Sequence, residues 1–220
     1  MSLELSQPTI SQGRNRQNEA VTVAKLVKRT VDFIGSFFLI ICLSPVFLIA
    51  SAMVFFADGR PIIYRRRVVG PSGEFDAFKF RTMRPDADLM LKNDPTLREA
   101  FSQNYKLKLD PRITRVGAFL RKYSLDELPQ LFNVLAGRMS LVGPRMITAP
   151  ELEKYGEYQQ LLLTVKPGLT GYWQVHGRQE VSYRERVSMD VEYIRKWSLS
   201  RDMQLLLLTP MRVIRGKGAY

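Results

Sequence analysis

The sequence predicts a mostly α chain with a small β-hairpin, in which a re-entrant membrane helix-break-helix precedes a larger α/β domain carrying amphipathic helices at the membrane interface. Three observations predict it. From Phe33 to Ala57 the chain runs twenty-five positions without a charge, with cations on both flanks and Ser44-Pro45 at the centre. Two strand-like stretches are parted by the turn signal Gly70-Pro71-Ser72-Gly73. Most of the rest divides into helix-length segments with apolar residues three and four apart.

Residues 1–22 are polar with little periodicity and read as a flexible tail. Residues 23–59 form the membrane segment. Its uncharged run is about 38 Å long as one helix, enough by length to span a bilayer. Lys25, Lys28 and Arg29 precede it and Arg60, Arg65, Arg66 and Arg67 follow, so both ends favour the same, cytoplasmic side. Pro45 removes a backbone donor at the midpoint and divides the run into halves of roughly 16 to 18 Å. A helix that enters, bends at Ser44-Pro45 and leaves on the same side satisfies both observations; a kinked spanning helix is the alternative.

Residues 60–215 form the larger domain, and 216–220 a C-terminal tail. Pro61 to Tyr64 and Phe75 to Phe80 read as the strands of the hairpin. Asp86 to Leu109 reads as helix broken at Asp94-Pro95, and Thr114 to Tyr123 as a short helix. Further helices are expected over Ser124 to Leu135, stopped by Gly137, over Glu151 to Val165, ended by Pro167-Gly168, and over Tyr183 to Trp197. Gln204 to Arg215 joins an apolar cluster to cations, which suits a helix at headgroup level or one packed on the core.

Composition narrows function. The chain has 220 residues, 45% of them hydrophobic, enough to bury a core. A formal charge of +12 points to an anionic partner: nucleic acid, anionic lipid or a phosphorylated substrate. The single Cys42 excludes an internal disulfide framework and a cysteine zinc site, and agrees with a reducing compartment. The single His176 excludes a multi-histidine metal site and suits a loop hydrogen bond. No short apolar core with a small-residue cleavage site marks a removable signal.

The candidate chemistry centres on Ser124-Leu-Asp-Glu-Leu-Pro-Gln130. Ser124 and Glu127 have capping-box spacing, so a structural role explains both carboxylates. Pro129 disturbs that account, because the fifth helical position normally donates a hydrogen bond. Alternatively, adjacent carboxylates divide labour, Asp126 as nucleophile and Glu127 as an oxygen ligand for Mg²⁺. A carboxylate attacking phosphorus needs its anionic target neutralised, and Lys79, Arg81, Arg121, Lys122, Arg145 and Arg178 are available for it. Each alone reads as a solvated surface charge. Lys166-Pro-Gly-Leu-Thr-Gly171 has glycines that permit close backbone approach but lacks the P-loop pattern. Asp32 is expected to pair with Lys28 or Arg29.

These residues resemble a family. Lys28-Arg29-x-x-Asp32, Ser44-Pro45, Phe78-Lys79-Phe80-Arg81-Thr82-Met83, Ser124 to Leu135, Met139-Ser-Leu-Val-Gly-Pro-Arg145, Pro167-Gly-Leu-Thr-Gly171 and Asp190, in this order, resemble the bacterial sugar transferases, monotopic phosphoglycosyl transferases that act on polyprenyl phosphate. The match runs from about Val23 to Ile214 and is most like the exopolysaccharide-initiating members. The resemblance implies an inner-membrane enzyme with its catalytic domain on the cytoplasmic face, a UDP-sugar donor, a polyprenyl phosphate acceptor and no nucleic acid partner. It implies that Asp126 attacks the β-phosphorus and releases UMP, with Glu127 binding Mg²⁺. It further implies that Lys79, Arg81 and Arg121 support the site, that Arg145 and Arg178 meet phosphate or nucleotide, and that Asp190 is a polar site residue. Met146 and His176 depart from the commoner family residues, proline and asparagine.

Overall fold

The computed structural model describes residues 10–104, 107, 110–177 and 181–215. Helix α1 runs Ile10–Cys42 and α2 Ser44–Asp58, so helix reaches well back into the stretch read as a flexible tail. Pro45 lies in the first turn of α2, where its missing N–H costs least, and the axis bends by 63° between Thr22–Cys42 and Ser44–Asp58. Among the described residues no single helix is long and apolar enough to cross a membrane, whereas this bent pair passes on length and composition together. Its outer side is apolar: Phe33, Ile34, Phe37, Phe38 and Ile41 of α1 and Leu48, Ile49 and Phe56 of α2 are exposed, Phe56 at 83%. Its inner side buries Asp32, Ser36, Ala50 and Val54.

The inner side of α1 is fastened by its charges. Asp32 Oδ1 accepts from Leu141 N–H at 2.9 Å and from Ser140 Oγ at 3.0 Å. Lys28 pairs with Asp202 and donates to the Val142 carbonyl at 2.9 Å. Arg29 donates to the Val134 and Leu135 carbonyls at 2.8 and 2.9 Å, satisfying the open end of the helix that precedes Gly137. The expected pairing of Asp32 with Lys28 or Arg29 therefore gives way to bonds that join all three to the rest of the fold.

The hairpin pairs β1 (Ile63–Gly70) with β2 (Gly73–Phe80), in antiparallel register from Ile63 opposite Phe80 to Gly70 opposite Gly73. The first strand is longer than expected, because Arg65 to Arg67 belong to it. Alternation turns Arg65 and Arg67 outward and Arg66 partly inward. Helices α3 (Ala87–Asn93) and α4 (Pro95–Asn104) meet at Asp94, whose side chain accepts from Thr96 and Leu97 N–H. Thr114 caps α5 (Arg115–Lys122).

Past α5 the expected Ser124–Leu135 helix is a 3₁₀ turn, Leu125–Glu127, followed by α6, Gln130–Leu135. Pro129 stands at the N-cap of α6, where no intrahelical donor is missed. A second sheet, not foreseen, pairs β3 (Ser140–Val142) in parallel with β4 (Gly168–Thr170). Gly143 N–H donates to the Thr170 carbonyl at 2.9 Å and Gly168 N–H to the Pro144 carbonyl at 2.8 Å. A Cβ on Gly168 would lie 2.1 Å from the Gly143 nitrogen, so only glycine permits the approach.

Short helices α7 (Ala149–Leu152) and α8 (Gln159–Leu162) flank a 3₁₀ stretch, replacing the single helix expected over Glu151 to Val165. α9 (Tyr172–His176) lies between the helices expected over Glu151 to Val165 and Tyr183 to Trp197, and within it His176 bonds the Tyr172 carbonyl at 3.0 Å. Helix α10 (Tyr183–Arg195) starts with a Ser182–Glu185 capping box. Helix α11 (Leu199–Arg215) buries Leu205 in the core, as the core-packing alternative expects, and leaves Leu207 and Met211 exposed. The core gathers Val68, Phe75, Leu131, Val134, Met139, Leu141, Met146 and Tyr193 from both sheets and the helices around them.

Candidate active site

Ser124 ends α5 in a left-handed conformation, φ 55°, and throws the chain into the 3₁₀ turn that carries the two carboxylates. No capping box forms. The Ser124 side chain makes no cap bond, and Glu127 N–H meets the Ser124 carbonyl at 3.3 Å. Both carboxylates are thereby left to the interior, and Asp126 is only 7% exposed.

Three elements bring cations to the pair. Lys79 from β2 sets its Nζ 2.7 Å from Glu127 Oε1 and 3.8 Å from Asp126 Oδ2. Arg145 leaves the Gly143-Pro144-Arg145 turn after β3 and places Nη2 3.1 Å from the same Glu127 oxygen. Arg121, in the last turn of α5, is held by Thr82 Oγ1, to which its Nε donates at 2.9 Å, and its charge acts on Asp126. Asp126 itself makes no hydrogen bond among the described residues, its nearest cation being Lys79.

The electrostatics separate the two acids. Burial pushes the Asp126 carboxyl above its ordinary value against the pull of Lys79, and the Glu127 charge adds to the rise. Burial works on Glu127 as well, but there Lys79 and Arg145 win and hold it down at about 2. Burial lowers Lys79, opposed by Glu127 and Asp126. One acid is thus a firmly ionised oxygen donor, while the other is a buried, weakly satisfied carboxylate beside it.

Glu127 suits a Mg²⁺ ligand, because that ion commonly takes one or two carboxylates and completes its shell with substrate phosphates and water. Among the described residues no cluster of three or more His, Cys, Asp or Glu gathers.

The other candidates are placed as follows. Arg81 donates its Nη2 to the Asp58 and Gly59 carbonyls, closing the end of α2 instead of meeting the carboxylates. Asp190 is fully buried, accepts from Tyr155 Oη at 2.8 Å, and burial pushes it up to about 7. Arg178 lies outside the described residues. Met146 is buried in the core next to Arg145.

Sequence reasoning missed Arg66, Glu151, Trp173 and Arg186. Arg66 Nη2 meets the buried Glu151 Oε1 at 2.6 Å, and Glu151 also accepts from Thr148 Oγ1 at 3.1 Å. Trp173 is flanked by two guanidiniums, with Arg145 Cζ at 5.8 Å and Arg186 Cζ at 4.9 Å from its ring centre. Strand alternation through Arg65-Arg66-Arg67 was the one available signal, since it singles out the middle arginine.

The profile described as bacterial sugar transferase matches residues 23–216. The chain is similar to the undecaprenyl-phosphate galactose phosphotransferase of Salmonella typhimurium, 45% identical over 212 residues, covering 94% of this chain and 44% of that protein. It is similar to the exopolysaccharide production protein ExoY of Sinorhizobium fredii, 42% identical over 203 residues and 90% of each chain. It is also similar to the UDP-glucose:undecaprenyl-phosphate glucose-1-phosphate transferase of Escherichia coli, 38% identical over 207 residues, 90% of this chain and 42% of that one. It therefore spans less than half the length of the first and third of these relatives.

Proposed function

Because the chain belongs to the bacterial sugar transferase family, we propose that it transfers a hexose-1-phosphate, galactose or glucose, from a UDP-sugar to polyprenyl phosphate at the start of exopolysaccharide repeat-unit assembly. The observation that carries this reading is the buried Asp126, which makes no hydrogen bond among the described residues, with the charges of Lys79, Arg121 and Arg145 acting on it. An Asp126 carboxylate oxygen attacks the β-phosphorus of the donor. The new P–O bond forms as the bond to the bridging oxygen breaks, the electron pair leaves with UMP, and the sugar phosphate stays on Asp126. A phosphate oxygen of the polyprenyl acceptor then attacks the same phosphorus, giving a polyprenyl diphosphate sugar and restoring the carboxylate.

Repulsion between attacking carboxylate and diphosphate is the main obstacle, and a low-dielectric pocket makes each cation count for more. Lys79 lies between the two acids, and Arg121 reaches the Asp126 side. Arg145 leans on Glu127 from the other flank. Mg²⁺, when bound through Glu127, neutralises diphosphate charge.

The bent α1–α2 pair supports a re-entrant anchor in the bacterial inner membrane with the larger domain on the cytoplasmic face. Its apolar side is exposed, and cations stand at both of its ends. Cysteine-accessibility labelling that put Asn18 and Gly70 on opposite sides of the membrane would overturn that topology.

The chemical test mixes the detergent-solubilised protein, Mg²⁺ and polyprenyl phosphate with UDP-galactose or UDP-glucose and measures the nucleotide released. UMP from the wild type, falling at least about a thousandfold in Asp126→Asn, is the expected result. Release of UDP, or equal UMP from the variant, refutes the mechanism.

A further inference from the structure

Among the described residues, Arg186 is a guanidinium beside Trp173 that the chemistry above leaves without a task. It stands in the first turn of α10, with Cζ 4.9 Å from the centre of the Trp173 ring. Its Nε is buried and has no partner, and among the described residues its side chain makes no hydrogen bond or ion pair. Of the neighbouring acids, Glu151 is engaged by Arg66 and Thr148, and Asp190 by Tyr155 through Oδ2, its buried Oδ1 making no hydrogen bond to Arg186 among the described residues. Arg145 shares the same indole at 5.8 Å, so two like charges converge on one buried aromatic. Stacking on an indole is a weak attraction and does not offset the desolvation of an unpaired Nε beside a second cation. An anion held between the two guanidiniums would.

Position says which anion. Arg145 meets Glu127, the neighbour of the nucleophile, and also the Trp173 ring, and Arg186 meets that ring in turn, so Arg186 is linked to the carboxylates through Arg145 and Trp173. In a UDP-sugar the phosphate next to the attacked phosphorus is the one that bears uridine. Helix α10 packs on α8, α9 and the 3₁₀ stretch between α7 and α8. Resting on the proposed phosphosugar transfer, we infer that Arg186 is a donor-binding residue: together with Arg145 it grips the uridine-bearing phosphate of the UDP-sugar, and hence the UMP product. The planar fork suits a phosphate better than an ammonium would.

The test uses the full chain in detergent, as wild type, Arg186→Ala and Arg186→Lys. With the alanine variant, KM for the UDP-sugar and the inhibition constant for UMP both rise roughly tenfold, the loss of one charged hydrogen-bond donor, while KM for polyprenyl phosphate stays put. Lysine restores part of the loss. Direct titration with UMP and with uridine separates phosphate from base, since only UMP binding should weaken. Unchanged donor KM and UMP affinity, or a rise confined to the acceptor KM, overturns the inference. If the alanine variant loses its thermal transition, the lysine variant decides, and wild-type behaviour from it overturns the inference too. A wild type that turns over no UDP-sugar refutes the proposed function instead, and the UMP titrations then judge Arg186 alone.

Discussion

The charges of Lys28 and Lys79 each act on two carboxylates, and the two clusters are finished differently. Around Lys28, Asp202 accepts from Tyr193 Oη at 2.7 Å and Trp197 Nε1 at 3.1 Å, and Asp32 accepts from a hydroxyl and a backbone N–H of β3. Around Lys79, Glu127 takes both cations on one oxygen and Asp126 takes no hydrogen bond among the described residues. A buried polar group whose bonding is complete holds elements in place; one whose bonding is incomplete keeps its capacity for a ligand. The first cluster joins α1, β3 and α11, and the second faces the space in which phosphate chemistry is proposed.

Replacing each lysine by methionine tests this contrast most severely. Lys79→Met should cut UMP release about a thousandfold while the protein still shows a cooperative thermal transition. Lys28→Met should cost about 3 kcal/mol of stability, seen as a lowered melting temperature, because it strands Asp202 in a largely buried site. A Lys28→Met protein that melts normally yet is inactive would erase the distinction between the clusters.

The two buried acids near the site should respond to pH with opposite signs. Glu127, at about 2 when folded against an ordinary 4.5, contributes stability that is present above 4.5 and is lost as pH falls toward 2. Asp190, at about 7 against an ordinary 3.8, contributes stability that is present below 3.8 and is lost as pH rises through 7. The advantage of the wild type over Glu127→Gln should therefore grow from pH 2 to 4.5. Its advantage over Asp190→Asn should shrink from pH 4 to 7, by up to a few kcal/mol in chemical denaturation. The smallest effect belongs to Arg29→Ala, about 1 kcal/mol, from two helix-end carbonyls left to water.

What was legible in the sequence was local. Gly70 to Gly73 announced the hairpin turn, Ser44-Pro45 the bend between α1 and α2, and the segment from Tyr183 the helix α10. What was hidden depended on distance along the chain. β3 and β4 have three residues each and no period to read, and their pairing rests on glycines that let backbones touch. The capping spacing of Ser124 and Glu127 was real, but the left-handed Ser124 and the pull of Lys79 and Arg145 took Glu127 elsewhere. Arg81 sits within the same motif as Lys79, and nothing local announces that it closes α2. Arg66 and Glu151 are eighty-five positions apart, and their pairing follows only from the assembled hairpin.

The fastening of Asp32 to Leu141 N–H does more than hold a helix. Strand β3 runs from that point directly into Gly143-Pro144-Arg145, while α1 continues from Asp32 to its end at Cys42, roughly ten residues or about 15 Å at the helical rise. The separation between Arg145 and the bend that ends α1 is thus metered in helical turns counted from Asp32, with Lys28 and Arg29 holding the same helix one turn earlier. Lengthening α1 by one turn beyond Asp32 would shift the bend by about 5 Å and leave the guanidinium where it stands.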